Sequence, residues 1–475
     1  MSKKELTKKE IKAIRQRLVR EPRLVWDELG ASERKKAFAL CDEYKEFLDR
    51  AKTEREAVVA IRDAAKEKGF SEKPKPGSGK PFFMVFQEKT IALVRPGKGA
   101  IDNGVRLIVS HIDAPRLDLK QNPLYEDVDL TFLKTHYYGG IKKFQWVTRP
   151  LAIHGRFIRA DGQALDIVVG EDEKDPVFCV LDLLPHLARK SQYDKKLGEA
   201  IPGEKLNVIA GSIPIGDRET KDRFKLALLN ILNEKYGLVE EDFISAEIEV
   251  VPAGKAKDVG WDRSLVGAYG HDDRSSAFTS LKALFDIKDS DRTSVIIFVD
   301  KEEIGSEGAT GAKSKLIEAV IARAMNVMGH DAGSHKVLDI LSRSKALSAD
   351  VNGALDPDYQ EVHEKMNAAR LGYGVCVTKF TGHGGKSGAN DASAEYAGWL
   401  RRLFNSEKVT WQTGELGKVD EGGGGTVAKF LAVYGMDVID YGVPVLSMHA
   451  PFEVAHKGDL YMTYKGCRAF LEADE

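Results

Sequence analysis

Apolar residues recur at helical spacing from the start of the chain to about residue 70. The basic segment MSKKELTKKEIKAIRQRL predicts a surface helix at the beginning. Thr53 and Glu56 have the spacing of a capping box before the run AVVAIRDAA, which predicts another helix there. The pattern then changes to strands in FFMVFQ and TIALV, and a third strand-like run, VRLIVS, ends just before His111.

A different pattern covers residues 116 to 258, where short strand-like runs are separated by turn residues and charges. One helical segment, TKDRFKLALLNILNEKYG, interrupts these runs. The strand-like runs are VDLTFL, FQWV, LAIHGRFI, LDIVVG and FISAEIEVV. Together they predict a separate and largely β domain.

Strands and helices alternate again after Gly260. The strand-like runs are SVIIFVD, RAMNVMGHD, GVCVTKF and GVPVLSMH, and the helical runs are SSAFTSLKALFDI, SKLIEAVIARA, ASAEYAGWLRRLFN and DLYMTYKGCRAFLEA. This alternation predicts an α/β fold with a mainly parallel central sheet flanked by helices. Because VRLIVS belongs to the same class, we interpret the β segment as an insertion. Residues 1–115 and 259–475 would form one domain, and residues 116–258 the inserted one.

The length of 475 residues agrees with two domains, because it exceeds what one ordinary core supports. The 71 basic and 73 acidic side chains give a net charge of -2, which predicts neither a nucleic-acid partner nor a membrane surface.

No apolar run is long enough to span a bilayer, and the N-terminus lacks the apolar part of a secretory signal. The four cysteines are far apart and form no CxxC pair, so we expect no disulfide framework and a cytoplasmic location.

Polar side chains gather where several predicted strands end, and binding sites in open α/β sheets form at these ends. The residues are His111, Asp113, His271, Asp272, Asp273, Arg274, Glu302, Glu303, Asp350 and His449. Any one of them could be a helix cap or a solvated turn, but their recurrence at equivalent points favours one shared site. Imidazole and carboxylate groups suit divalent metals such as zinc, and so many carboxylates fit a pair of metals better than one.

Other catalytic motifs are incomplete in this sequence. The run HEKMN lacks the second histidine of an HExxH motif, and Phe380 stands where the first glycine of a phosphate loop belongs. The glycines after SVIIFVD do not have GxGxxG spacing, and no nucleophile elbow supports a Ser/His/Asp site.

The strand-end motifs, taken in order, resemble the aspartyl-aminopeptidase family of dinuclear-zinc exopeptidases, in its bacterial branch. The motifs are VSHIDAPRLDL, HDDRSSAFTSL, FVDKEEIGSEGATGA, LSADVNGALDPDY and LSMHAPFE, with HYYGGIKKFQW and RPLAIHGRF inside the insertion. The resemblance implies a zinc-exopeptidase-like catalytic domain and a metal-dependent aminopeptidase. Such an enzyme removes N-terminal residues from peptides by attack of a metal-bound hydroxide. Two divalent ions per subunit are implied, with zinc expected and cobalt or manganese as alternatives.

The resemblance also assigns roles to single residues. His111 and Asp350 would bind one metal, Glu303 and His449 the other, and Asp272 would bridge the two; Glu302 would be the general base, and Asp113 would orient His111. The family builds a dodecamer from dimers, in which a histidine of the β domain enters the active site of a neighbouring subunit. His154 matches that histidine, so the inserted domain would serve oligomerisation and a shared active site.

The preferred N-terminal residue is left open as acidic or broad. Lys379 could receive an acidic side chain, and His383 could line the substrate pocket, but ordinary strand-end and loop roles are equally compatible with both. Lys301 and Asp273 stand where other branches of the family carry His and Asn, so a preference for acidic residues does not transfer directly.

Two other functions compete with this interpretation. Another dinuclear hydrolase, such as a dipeptidase, carboxypeptidase or deacylase, would use the same metals. A self-assembling scaffold without catalysis would not need them, and the presence of every expected ligand and of Glu302 argues against it.

Overall fold

Three sheets organise residues 6–474, the part of the chain that the computed structural model describes. The first strands are β1 Phe82–Phe86, β2 Thr90–Arg95 and β3 Arg106–His111. The next are β4 Arg116–Asp127, β5 Leu130–Tyr138, β6 Leu151–Ile158, β7 Ala164–Val169, β8 Cys179–Val180, β9 Val208–Gly211 and β10 Glu247–Pro252. The last are β11 Lys257–Val259, β12 Leu265–Ala268, β13 Ser294–Val299, β14 Lys345–Ala349, β15 Asn352–Gly353, β16 Val375–Thr378, β17 Trp411–Thr413, β18 Asp437–Gly442, β19 Pro444–Leu446 and β20 Glu453–His456.

The helices before and within the second group of strands are α1 Lys8–Leu18, α2 Val25–Glu28, α3 Ala31–Arg50, α4 Glu54–Glu67, α5 Pro185–Ala188, α6 Leu197–Ala200, α7 Arg223–Tyr236 and α8 Asp242–Ser245. The later helices are α9 His271–Asp286, α10 Leu316–Val327, α11 Ser334–Ser342, α12 Ala394–Ser406, α13 Ala428–Ala432 and α14 Lys457–Glu472. Among the described residues we find no helix with the length and apolar character needed to span a bilayer.

The central sheet has eight strands in the order β1-β2-β13-β3-β14-β18-β16-β17. Its middle pairs, β13 with β3, β3 with β14, and β14 with β18, are parallel. Along β13 the side chains alternate between two cores: Ile296 and Phe298 pack on the side of α3, α9 and α14, and Val295 and Ile297 on the side of α10 and α11. Burial on both faces explains why SVIIFV is apolar throughout, and the predicted α/β fold with a mainly parallel sheet is confirmed.

The second sheet has seven strands in the order β7-β6-β10-β4-β5-β9-β8, and every pair in it is antiparallel. All of its strands lie between Arg116 and Pro252, within the segment predicted as an insertion. A smaller third sheet, β11-β12-β20-β19-β15, joins segments on either side of α9.

The predicted elements differ from the structure at three places. RAMNVMGHD is not a strand, because α10 continues to Val327, where Ala324 and Met325 extend the buried stripe of the helix. In FQWV, a turn at Lys143–Gln145 brings Trp146 into the core that packs against the second sheet. The run FISA forms the short α8 before β10 begins. The capping box at Thr53 and Glu56 is confirmed at the start of α4, whereas the first five residues of the predicted N-terminal helix lie outside the described part.

Charged side chains are buried where the second sheet meets α4. Arg116, at the start of β4, forms ion pairs with Glu54 at 3.3 Å and with Glu249 at 3.3 Å. Its guanidinium also lies 4.0 Å from the ring centre of Tyr138. Removing one member of such a group leaves a charge unpaired in the interior, so these contacts constrain how the second sheet is placed.

Candidate active site

The strand ends carry the polar side chains to one edge of the central sheet. His111 is the last residue of β3, and Asp350 follows the neighbouring strand β14 directly. Glu302 and Glu303 form a short helical turn after β13, on the other side of β3. Because β13, β3 and β14 run parallel, their carboxyl ends coincide, and the side chains meet there.

Two groups of three side chains share Asp272. In the first group, His111 Nε2 lies 3.1 Å from Asp272 Oδ1 and 3.8 Å from Asp350 Oδ1. In the second, His449 Nε2 lies 3.1 Å from Asp272 Oδ2 and 3.5 Å from Glu303 Oε2. Within each group the possible ligand atoms all lie within 4.8 Å of one another, so each group could hold a metal ion. Asp272 thus directs one carboxylate oxygen to each histidine.

Glu302 and Glu303 both line the same cavity, which has a volume of about 460 Å³. Side chains at successive positions of a strand would face opposite sides, but these two residues lie in the helical turn beyond β13. Lys301 precedes them with a left-handed backbone, φ +66°, and Gly305 follows with φ +99°. The backbone N–H groups of Glu302 and Glu303 each donate to Asp113 at 3.2 Å, which fixes the turn.

Asp113 also contacts His111. Its carboxylate Oδ1 lies 3.2 Å from His111 Nδ1, and Tyr138 donates its hydroxyl hydrogen to Oδ2 at 2.7 Å. Burial lowers the pKa of His111, but its bonds to Asp113, Asp272 and Asp350 outweigh that effect and raise the pKa well above its usual value. With Nδ1 engaged by Asp113, Nε2 is the nitrogen that faces Asp272 and Asp350, the arrangement of a metal-binding imidazole.

The carboxylates of the cavity oppose each other's ionisation. Burial and the charge of Asp272 raise the pKa of Glu303 well above its usual value, and the same two causes act on Asp350, where the bond to His111 opposes them. Burial, with Asp350 and Asp113 nearby, raises the pKa of Glu302 to about 8. Glu303 Oε1 is also buried without a hydrogen-bond partner. Cations bound at Asp272 would offset this repulsion, and the nitrogen and oxygen donors fit zinc.

One residue of the site was missed by the sequence analysis. Glu453, at the start of β20, accepts the backbone N–H of His449 at 2.7 Å and that of Asp272 at 3.2 Å. His449 has a left-handed backbone, φ +63°, a conformation that a side chain rarely adopts without support. The burial of Glu453 raises its pKa to about 8. The sequence contains a signal, because Glu453 ends the motif LSMHAPFE, four residues after His449.

Three predicted residues lie elsewhere. His154 is 5% exposed in β6, with Nδ1 at 2.7 Å from Glu56 and Nε2 at 3.2 Å from Glu171. It is not among the metal-site groups of its own chain. Lys379 pairs with Asp391 at 2.9 Å, and His383 is an exposed loop residue; neither belongs to the residues that line the cavity in the described part of the chain.

The family model of Peptidase M18, the aminopeptidase I zinc metalloproteases, matches residues 47–471. The chain belongs to this family. It is 49% identical over 461 residues to the probable M18 family aminopeptidase 1 of Clostridium acetobutylicum, covering 96% of this chain and 99% of the relative. The resemblance to the aspartyl-aminopeptidase family is thereby confirmed, and the chain is a metal-dependent aminopeptidase.

Solved structures support the same fold. The crystal structure of an M18 aminopeptidase from Thermotoga maritima matches with a TM-score of 0.91 and 44% identity, covering 95% of this chain and 99% of that one. The dodecamer of mApe1 from S. cerevisiae matches with a TM-score of 0.72 and 20% identity, covering 90% and 95%. At that identity the second match bears on the fold alone.

The contacts of Glu453 generate a prediction. In Glu453→Gln an amide nitrogen replaces one carboxylate oxygen, so one of the two backbone N–H groups loses its acceptor. We expect zinc affinity to fall about tenfold, as for other residues that orient metal ligands. Competition with a chelator, starting from metal-free protein, measures this. The exposed Glu407→Gln is the matched control, and a Glu453→Gln protein with the zinc affinity of the wild type would contradict the assignment.

Proposed function

We propose that this aminopeptidase binds two divalent metal ions, zinc in the resting enzyme, and uses Glu302 as its general base. His111 and Asp350 would hold one ion, Glu303 and His449 the other, and Asp272 would bridge them. The observation that carries the proposal is the position of Asp272. Its Oδ1 lies 3.1 Å from His111 Nε2, and its Oδ2 lies 3.1 Å from His449 Nε2. A bridging carboxylate between two histidine–carboxylate pairs has the donor types of a dinuclear site.

When bound, the metals supply Lewis acidity, which makes a water molecule more acidic and polarises the peptide carbonyl. Glu302 lies in the same cavity and is not among the proposed ligands, so its carboxylate stays free to take up and release a proton there. Its carboxylate would accept the proton of the attacking water and pass it to the departing amine. Asp113 would keep His111 and the Glu302 turn in place during both transfers.

We propose a broad rather than an acidic preference for the first residue. Lys379, the cation considered for an acidic side chain, already pairs with Asp391 and does not line the cavity.

We further propose that the chain assembles as a homo-oligomer, a dodecamer built from dimers, with residues 116–258 as the domain that serves assembly. The segment between β8 and β9 supports an interface, because it exposes several large apolar side chains: Leu181, Leu183, Leu184, Leu187, Tyr193 and Leu197. The entry of His154 into a neighbouring site stays a prediction. In this chain the His154 ring is buried between Glu56 and Glu171, and it would have to leave both partners to reach another subunit.

Replacing Glu302 tests the proposed base. Glu302→Gln should bind zinc as the wild type does, because Glu302 is not among the proposed ligands, but should lose at least about 100-fold in kcat. Turnover of a peptide with a free N-terminus, beside the same peptide acetylated, measures both the loss and the exopeptidase specificity. Glu307→Gln, an exposed partner of Lys313 in the same loop, should behave as wild type. Near-normal turnover in Glu302→Gln would exclude this base.

Assembly is tested by sedimentation of the wild type, which should run far above the 52.5 kDa of a single chain. If His154 acts in a neighbouring site, His154→Ala should lower kcat without changing the metal content. A fully active monomer would contradict the proposed assembly and the shared site together.

A further inference from the structure

We propose that the turn Tyr138–Gly140, at the end of β5, positions both metal-binding histidines. The second sheet would then complete the active site of its own chain, in addition to any role in assembly. This inference rests on the proposed function, since it assigns His111 and His449 to the two metals.

The first contact is made by the side chain of Tyr138. Its hydroxyl donates to Asp113 Oδ2 at 2.7 Å, while Asp113 Oδ1 lies 3.2 Å from His111 Nδ1. The tyrosine is 9% exposed, and the Arg116 guanidinium lies 4.0 Å from its ring centre, so the ring has little freedom to move. Tyr138 therefore acts together with the N–H groups of Glu302 and Glu303 to fix the rotation of the carboxylate, which directs the other oxygen to His111.

The second contact is made by the carbonyl oxygen of Gly140, which lies 2.9 Å from His449 Nδ1. A carbonyl can only accept, so Nδ1 carries the hydrogen and Nε2 presents its lone pair toward Asp272 and Glu303. The bond therefore sets both the tautomer of His449 and the direction in which it faces.

Two close approaches limit the alternative positions of the turn. A Cβ atom added to Gly140 would lie 3.3 Å from His449 Nδ1, and one added to Gly139 would lie 3.3 Å from Glu303 Cβ. Gly139 also has φ +72°, in the left-handed region that favours glycine. The two glycines thus allow the backbone to approach the metal-site side chains closely. Three consecutive residues hold both histidines, which lie on opposite sides of Asp272.

The test uses Tyr138→Phe, which keeps the ring and removes only the hydroxyl. We expect about tenfold weaker zinc binding to the metal-free protein, measured by chelator competition, because residues that orient metal ligands have effects of this size. The kcat of the zinc-loaded enzyme should fall about tenfold while KM changes by less than about twofold, because Tyr138 acts on the metal site rather than on substrate binding. The visible absorption of the cobalt-substituted protein should also change.

Tyr137→Phe is the matched control, because the exposed Tyr137 is the preceding residue of the same strand. Gly140→Ala independently tests the contact between Gly140 and His449. It should also weaken zinc binding, because the added Cβ would displace His449. Gly211→Ala is its control, since an added Cβ there meets no atom within 4 Å. Both controls should keep the zinc affinity and kcat of the wild type.

Two results would overturn the inference, and they are distinguishable. If the wild type binds zinc and cleaves peptides, and if Tyr138→Phe and Gly140→Ala match it in zinc affinity and kcat, the positioning role alone is wrong. If the wild type itself binds no zinc and cleaves no peptide, the proposed function fails, and this inference fails with it.

Discussion

Mutual repulsion among buried carboxylates is the constraint on which this molecule depends. Asp272, Glu302, Glu303 and Asp350 line one cavity, and their proximity and burial favour the neutral forms of Glu302, Glu303 and Asp350. The histidines offset only part of this cost, because a metal ligand must present a neutral nitrogen. Two divalent cations would offset the remainder. Metal binding would therefore also stabilise this edge of the sheet.

The surrounding structure holds the carboxylates and histidines of the cavity close together although the carboxylates repel one another. Parallel strands bring His111, Glu303 and Asp350 to one edge, and the antiparallel pairing of β12 with β20 in the third sheet brings Glu453 beside Asp272. Two buried carboxylates outside the proposed ligand set, those of Asp113 and Glu453, make the same kind of contact. Asp113 accepts the N–H groups of the Glu302 turn, and Glu453 accepts those of Asp272 and His449. Each ties the backbone of proposed metal-site residues to a fixed acceptor.

Much of this could be predicted from the sequence, because strand ends in an α/β sheet and their polar residues are local features. The grouping of His111, Asp272 and Asp350 followed from that rule and from the family resemblance. Contacts between distant segments could not be predicted in the same way. Nothing local in the sequence shows that Gly140 would meet His449, or that His154 would lie between Glu56 and Glu171. RAMNVMGHD was wrongly predicted as a strand, because a short apolar run fits the end of a buried helix equally well.

The number of metal ions per chain in active protein decides whether the site is dinuclear. Elemental analysis of enzyme purified without added chelator, with turnover measured on the same sample, gives this ratio. A dinuclear site requires two divalent ions per chain, and turnover should be lost as they are removed and recovered as zinc is restored. Full activity with fewer than one metal ion per chain would contradict it.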